Sequence, residues 1–165
     1  VKATKNGKIG VIGTTATINS KSFHTIVNQN MALAKVFSNA CPLFVQLVES
    51  GWIDENDSVT VETAKRYLQP LIDEDVDTLI LGCTHFPVIK KIISNIMGEK
   101  VVLINPGESV ATAVKDFLEE KNMLNAESGG KLNLFVSDKT STFSKTKGLD
   151  NFLKIRVNEG KIKTT

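Results

Sequence analysis

Mostly apolar runs alternate with segments of helical periodicity along most of the chain. The runs Lys8–Thr14, Val76–Leu81 and Val101–Ile104 predict buried β-strands, and Ala34–Ala40 is a weaker strand candidate. Between and after these runs, apolar residues recur at three- and four-residue spacing, which predicts four helices. The first covers Ser20–Met31, with Phe23, Val27 and Met31 on one face, and the second includes Val61, Ala64, Leu68 and Leu71. The third covers Pro87–Met97, and the fourth follows Asn105 with Val110, Val114, Phe117 and Leu118 on one face.

The alternation of strands and helices predicts an α/β fold with a parallel sheet flanked by helices on both faces. Leu43–Val48 is either a short helix or an irregular segment. Asn105 is expected to cap the helix that begins at Pro106, with Glu108 reaching back, and the apolar face of that helix is expected to be buried. In open parallel sheets the site lies at the carboxyl ends of the strands, which directs attention to Thr14, Cys83–Thr84–His85 and Asn105.

The last third of the chain is less regular. Ser128–Gly130 predicts a flexible break, Leu132–Val136 a further strand, and Phe152–Val157 a closing segment after a stretch rich in Ser, Thr and Lys. Residues 159–165 are expected to form a frayed tail.

Composition narrows the class of protein. The chain has 165 residues, of which 41% are hydrophobic and 23% charged, so it is globular and not intrinsically disordered. The net charge of +2 gives no argument for nucleic acid, and the apolar runs are far shorter than the roughly 18 residues that a membrane span needs. Two cysteines are too few for a disulfide scaffold, so we expect a reducing, cytoplasmic setting. The start at Val1 has no signal-peptide pattern and suggests a beginning within a longer protein.

Cys83, Thr84 and His85 carry the clearest candidate chemistry. A thiol at a strand end, close to backbone N–H groups and the start of a helix, is stabilised as the thiolate and can act as a base or nucleophile. Thr84 offers a hydroxyl and an N–H to an anionic substrate, and His85 can hold or shuttle a proton. The alternative is that Cys83 is a small buried filler.

Other candidates are weaker. Cys83 and His85, with Cys41 and His24 far away in sequence, do not have the spacing of a closed zinc site. The turn after Gly10–Gly13 either binds a small anion or is a strand-to-helix turn with Thr17 as the helix cap. Cys41 precedes a proline, which favours a structural role. Glu49 ends an apolar run, and is either surface or a partner for a histidine.

Several segments together resemble one family. They are Gly10–Thr14, Ala40–Val45 with Glu49–Gly51, Leu81–Pro87, and the later pieces Leu103–Pro106, Phe135–Asp138 and Phe152–Leu153. In this order they resemble the glutamate racemases of the cofactor-independent aspartate/glutamate racemase superfamily, over nearly the whole chain. Leu81-Gly82-Cys83-Thr84-His85 is the most specific piece.

The resemblance implies a mechanism and roles. Two cysteines act on opposite faces of the α-carbon of glutamate, and no pyridoxal phosphate, nucleotide or metal takes part. Cys83 matches the second catalytic cysteine, His85 the histidine that assists it, and Glu49 the acidic residue beside that histidine. Thr84 matches a substrate-binding position of the family, and Thr14 and Thr17 match further substrate-binding positions less specifically.

The resemblance also implies that part of the family pattern is absent. The Asp-Ser segment and the Cys-Asn-Thr motif with the first catalytic cysteine have no match here, and Cys41 matches a noncatalytic motif. The chain therefore resembles a carboxyl-terminal portion whose partners are glutamate, the amino-terminal half and a second copy in a homodimer. Residues 6–105 are expected to form one complete α/β domain, 106–158 a returning segment of an incomplete second domain, and 159–165 a tail. Alone, the chain is expected to be inactive and to self-associate.

Three alternatives stay open at this point. The first is a related racemase acting on aspartate, and the second is a noncatalytic binding domain derived from a racemase. The third is a cysteine hydrolase using Cys83 and His85, which we expect to be disfavoured because residues adjacent in one turn seldom face each other as nucleophile and base.

Overall fold

The computed structural model describes residues 1–125 in full and, beyond them, the backbone of residues 135–136 and 163–164. The chain divides into two compact units, Val1–Gly107 and Glu108–Thr165. The first unit holds the predicted α/β arrangement.

The secondary structure follows the predicted alternation. The strands are β1 (Lys8–Gly13), β2 (Lys35–Ala40), β3 (Thr78–Gly82), β4 (Val102–Ile104), β5 (Phe135–Val136) and β6 (Lys163–Thr164). The helices are α1 (Thr15–Asn19), α2 (Ser22–Asn30), α3 (Pro42–Glu49), α4 (Ser58–Asp73), α5 (Lys90–Met97) and α6 (Pro106–Glu120), with a 3₁₀ helix at Phe86–Ile89.

The first four strands form one parallel sheet in the order β2-β1-β3-β4. The α/β fold class with a parallel sheet flanked by helices is therefore confirmed. The weaker strand candidate is also confirmed, as edge strand β2, whose residues are only partly buried and so carry a weaker apolar signal.

Two apolar clusters cover the two faces of this sheet, as alternation of side chains along the strands requires. One is built on Ile12, Leu79 and Leu81 and includes side chains of α3, α4 and α5. The other contains Ile9, Val11, Val27 and Ile80, with Ile18 and Phe23 packed against it. Because helices cover both faces of the sheet, the ends of the strands are where side chains can reach a ligand.

The helix predicted over Ser20–Met31 is confirmed as α2 (Ser22–Asn30). The short helix α1 before it was not predicted, because its polar sequence carries no apolar periodicity. The helix expected over Pro87–Met97 begins as a 3₁₀ helix before α5. Leu43–Val48, for which the sequence allows a short helix or an irregular segment, is helical, with Pro42 at the first helical position.

Helix α6 has the predicted start but not the predicted burial. Asn105 Oδ1 accepts a hydrogen bond from Gly107 N at 3.0 Å, as a cap should. The expected buried face is wrong: Val110, Val114 and Phe117 are 61%, 50% and 54% exposed. Periodicity identifies an apolar face but not what covers it.

Much of the second unit lies outside the described residues, including the predicted break at Ser128–Gly130 and the segment Phe152–Val157. The strand predicted over Leu132–Val136 is described at β5 alone, which pairs in parallel with β6. The tail predicted over 159–165 thus contributes a short paired strand. In the described part of the chain no helix is long and apolar enough to cross a membrane.

Candidate active site

The strand order places a crevice between the carboxyl ends of β1 and β3. The connection after β1 leads to β2 on one side, and the connection after β3 leads to β4 on the other side, which makes this the switch point of the sheet. Gly13 and Gly82 are paired in register at that point. Thr14 and Cys83, the next residue of each strand, therefore leave the sheet side by side.

The thiol of Cys83 faces a histidine. Its Sγ lies 3.8 Å from His85 Nδ1. Cys83 forms no disulfide and is partly exposed. The expectation that Cys83 and His85 would not face each other is wrong. The backbone explains why, because Phe86 N donates to Cys83 O at 3.2 Å and closes a tight turn that folds His85 back over the cysteine.

Glu49 completes a chain of three side chains. It is the last residue of α3, and its Oε1 lies 3.1 Å from His85 Nε2. The two elements are held together by Phe44 of α3 and Phe86 of the 3₁₀ helix, whose rings meet edge to face at 5.2 Å. Tyr67 of α4 packs on Phe44 in the same way, also at 5.2 Å. An aromatic stack therefore fixes the distance from Glu49 to His85.

The hydrogen bond to Glu49 selects the tautomer of His85. An ionised carboxylate can only accept, so neutral His85 carries its hydrogen on Nε2. The lone pair of Nδ1 then faces Cys83 Sγ. This arrangement allows His85 to take the thiol proton while Glu49 stabilises the resulting imidazolium.

The threonines occupy two places at the crevice. Thr84 is exposed and directly follows Cys83. The Thr14 and Thr17 hydroxyls lie 3.0 Å apart, and Thr17 N donates to Thr14 Oγ1 at 3.3 Å. Thr14 is thus the N-cap of α1, and the alternative in which Thr17 caps the helix is wrong.

Cys41 has the structural role that its position before proline indicates. It is fully buried in the cluster beneath α3, and its Sγ lies 3.7 Å from Asn39 O. Burial raises the pKa of the Cys41 thiol to about 12, which keeps it neutral. It is therefore neither a base nor an accessible nucleophile.

No cluster of three or more His, Cys, Asp or Glu side chains able to hold a metal ion occurs in the part of the chain that the structure describes. The second histidine, His24, lies on α2 and is not among the partners of Cys83 or His85. The crevice brings together a thiol, an imidazole and a carboxylate.

Gly82 is a site residue that the sequence reasoning did not single out. A Cβ at this position would lie 2.7 Å from Ile12 O and 3.1 Å from the ring of Phe23. Only glycine permits β1 and β3 to end this close together beside the thiol. The signal in the sequence is the glycine immediately before Cys83.

Comparison with known proteins gives consistent matches. A family model described as Asp/Glu/Hydantoin racemase matches residues 1–114. Glutamate racemase from Thermoanaerobacter sp. (strain X514) is 43% identical over 146 residues, which are 87% of this chain and 53% of the relative. Glutamate racemase from Chlorobaculum parvum is 40% identical over 141 residues, covering 85% and 51%. The chain thus spans about half the length of these relatives.

Solved structures agree with the sequence matches. The chain superimposes on glutamate racemase isoform RacE1 from Bacillus anthracis with a TM-score of 0.83 and 34% identity, covering 99% of this chain and 58% of that one. Glutamate racemase from Francisella tularensis, solved in complex with D-glutamate, gives a TM-score of 0.80 and 31% identity, covering 96% and 56%.

Proposed function

The chain belongs to the Asp/Glu/hydantoin racemase family, and on that premise we propose that the protein interconverts L- and D-glutamate without a cofactor, with Cys83 as one of two acid–base thiols. The D-glutamate would serve peptidoglycan synthesis. The observation that carries the proposal is the contact of Cys83 Sγ with His85 Nδ1 at the switch point of the sheet. The names of the relatives favour glutamate over aspartate as the substrate.

The proposed proton path uses three side chains. Cys83 as thiolate removes the α-proton from one face of the substrate, or as thiol delivers a proton to that face. His85 takes the thiol proton at Nδ1 to prepare the thiolate. Glu49 touches His85 and not the reacting atoms, so it is a positioning residue that fixes the tautomer and stabilises the imidazolium.

Substrate binding is assigned to threonines of the crevice. Thr84 presents its hydroxyl and backbone N–H next to the reacting thiol, where a carboxylate of glutamate can accept from both. Thr14 and Thr17 present a pair of hydroxyls at the end of the neighbouring strand, suited to a second oxygen of the same substrate. Both placements depend on the side-by-side ends of β1 and β3.

Inversion of a stereocentre needs a second acid on the opposite face of the α-carbon. The 165 residues contain one other cysteine, and Cys41 is buried with its pKa raised to about 12 by burial. We therefore assign the second thiol to an amino-terminal half like that of the longer relatives. The chain alone is expected to bind and invert glutamate too weakly to detect.

Deuterium exchange at the α-carbon tests this proposal. L- and D-glutamate, and aspartate as a competitor, are incubated in D₂O with the chain alone and with the separately produced amino-terminal half of the Thermoanaerobacter relative. We expect exchange with inversion only in the mixture, loss of it in Cys83→Ser, and retention in Cys41→Ser. A folded mixed complex that exchanges nothing, or one that prefers aspartate, would contradict the proposal.

We also propose that the protein acts in the cytoplasm and self-associates as a homodimer. Two unpaired cysteines suit a reducing compartment. The apolar face of α6, with Val110, Val114 and Phe117 exposed, suits association. Light scattering of the 165-residue chain should show a dimer that Phe117→Glu weakens and Thr112→Glu, also on α6, does not. A monomer at high concentration would contradict the association.

A further inference from the structure

The turn after β3 has the form that exposes a nucleophile. A buried strand ends at Gly82, Cys83 stands at the sharp turn, and a 3₁₀ helix follows at Phe86. Gly82 permits the close approach, because a Cβ there would collide with Ile12 O. Strand–nucleophile–helix turns of this kind hold a reactive side chain clear of the backbone in esterases built on parallel sheets.

We propose that Cys83, His85 and Glu49 also form a nucleophilic triad that hydrolyses small activated esters through an acyl-thiol intermediate. This activity goes beyond proton transfer at an α-carbon. The order is that of a nucleophile, a base and an orienting carboxylate, with Sγ to Nδ1 at 3.8 Å and Nε2 to Oε1 at 3.1 Å. Hydrolysis of an activated ester by this triad needs neither a second acid nor a second half of the protein.

Ester hydrolysis also requires hydrogen-bond donors that bind the oxyanion of the tetrahedral intermediate, and backbone N–H groups lie beside the thiol. In strand–nucleophile–helix turns the N–H of the residue after the nucleophile helps to bind the oxyanion. Here that residue is Thr84, and in residues 1–125 its N–H donates to no acceptor. The same holds for the N–H of His85. Both lie in the turn that carries the thiol, so a carbonyl oxygen attacked by Sγ has donors within the same four residues.

The open site restricts the substrate class. Thr84 is exposed, and the Glu49 side chain is 53% exposed, so water reaches the relay. An ester with a small acyl group and a good leaving group, such as a phenolate or thiolate, needs no deep acyl pocket and no proton donated to the leaving group. Amides need both, and are not expected as substrates.

The two steps balance without any further reactant except water. His85 Nδ1 takes the proton of Cys83, Sγ attacks the carbonyl carbon, an S–C bond forms, and the C–O bond to the leaving phenolate breaks. As the phenolate leaves, His85 releases that proton from Nδ1 to solvent and becomes neutral again. Water then attacks the thioester carbon and gives a proton to His85 Nδ1. The C–S bond breaks, the free acid leaves, and the Cys83 thiolate takes the proton back from His85 Nδ1.

The test uses the 165-residue chain and p-nitrophenyl acetate at neutral pH. We expect a burst of one p-nitrophenolate per chain, followed by turnover, with a rate per thiol at least about 10-fold above that of N-acetylcysteine. Mass spectrometry after rapid quenching should place one acetyl group on Cys83. The Cys83→Ser variant should lose the burst, and Cys41→Ser should keep it.

The role of the histidine has its own readout. His85→Gln should slow acylation by about 100-fold, because the base that prepares the thiolate is gone. Its thiol should still be fully alkylated in denaturant, and circular dichroism should confirm the fold. A rate per thiol no greater than that of N-acetylcysteine, acetylation at another residue, or an unchanged rate in folded His85→Gln would overturn the proposal. Deuterium exchange with glutamate is a separate measurement, so failure of one activity leaves the other testable.

Discussion

His85 Nε2 lies 3.1 Å from Glu49 Oε1, although 36 positions separate the two residues in the chain. The contact joins the end of α3 to the turn after β3, and so links the Glu49 carboxylate to the histidine that faces the Cys83 thiol. Both side chains are partly open to water, at 31% and 53% exposure. Water and salt therefore screen the ion pair, and its direct electrostatic contribution is modest.

Replacing Glu49 by Gln should slow the reaction of Cys83 with iodoacetamide about 2- to 5-fold at neutral pH and low salt. The amide still accepts a hydrogen bond but no longer stabilises an imidazolium, and an exposed pair contributes about 0.5–1 kcal/mol. The rate of the unaltered chain should fall as salt rises, whereas that of the variant should change less. Glu55→Gln, an exposed change in the loop before α4, is the control and should leave both rates alone.

Strands β1 and β3 could be predicted because burial on both faces makes them apolar almost throughout. Strand β4 was predicted as buried, but it lies at the edge of the sheet and its Val102 is 44% exposed. Ile9, Ile12 and Leu79 to Leu81 are almost entirely enclosed, and no other element type explains such short apolar runs so well. Edge strand β2 and polar helix α1 carry less of this signal. The exposure of the apolar face of α6 could not be predicted, because periodicity is a local property of the sequence, whereas what covers a face depends on the rest of the fold.

The candidate site was only partly accessible to sequence reasoning. Position at a strand end identified Cys83, Thr84 and His85. The residues left Glu49 as either surface or a partner for a histidine, and the resemblance identified His85 as that partner, because nothing in a spacing of 36 residues indicates a contact. Rotamers and turn geometry decide whether Cys83 and His85 face each other, and these are not readable from residue order.

Cys41 should make stability fall at alkaline pH. Its pKa is raised by burial to about 12 in the fold, from 9.0 for an unperturbed thiol. The unfolded chain therefore ionises first, and this contribution is fully present below about pH 9 and is lost as the pH rises towards 12. Denaturant unfolding of Cys41→Ala should show a smaller decline of the free energy of unfolding over that interval. Equal slopes in Cys41→Ala and in the unaltered chain would contradict the buried thiol.

Asp77 should stabilise the fold above pH 4. Burial would raise the pKa of Asp77, but hydrogen bonds from Thr4 Oγ1, Asn6 N, Lys5 N and Thr78 Oγ1 lower it to about 2. Its contribution is thus present above the unperturbed value of 3.8 and is lost as the pH falls towards 2.

Replacement of Asp77 by Asn should lower the free energy of unfolding by about 1–2 kcal/mol at neutral pH, discounted for partial exposure. The difference from the unaltered chain should shrink as the pH approaches 2. Asp73→Asn is the control, since this exposed residue accepts from Gln69 Nε2 through an oxygen that asparagine keeps. A constant difference between Asp77→Asn and the unaltered chain at all pH values would contradict the assignment.

Gly82 should be the glycine least tolerant of a methyl group beside the site. An alanine Cβ would lie 2.7 Å from Ile12 O, a backbone atom held in the sheet, so the ends of β1 and β3 must separate. Overpacking of this kind costs about 1–3 kcal/mol. Gly82→Ala should therefore lower the free energy of unfolding by that amount and also slow the alkylation of Cys83, because the turn that carries the thiol shifts.

Gly107→Ala is the control. There the atom nearest to the added Cβ is Asn105 Oδ1 at 3.3 Å, the end of a side chain, and the free energy of unfolding should change by less than about 0.5 kcal/mol. A Gly82→Ala chain as stable and as reactive as the original would show that the closeness of the two strand ends does not position the thiol.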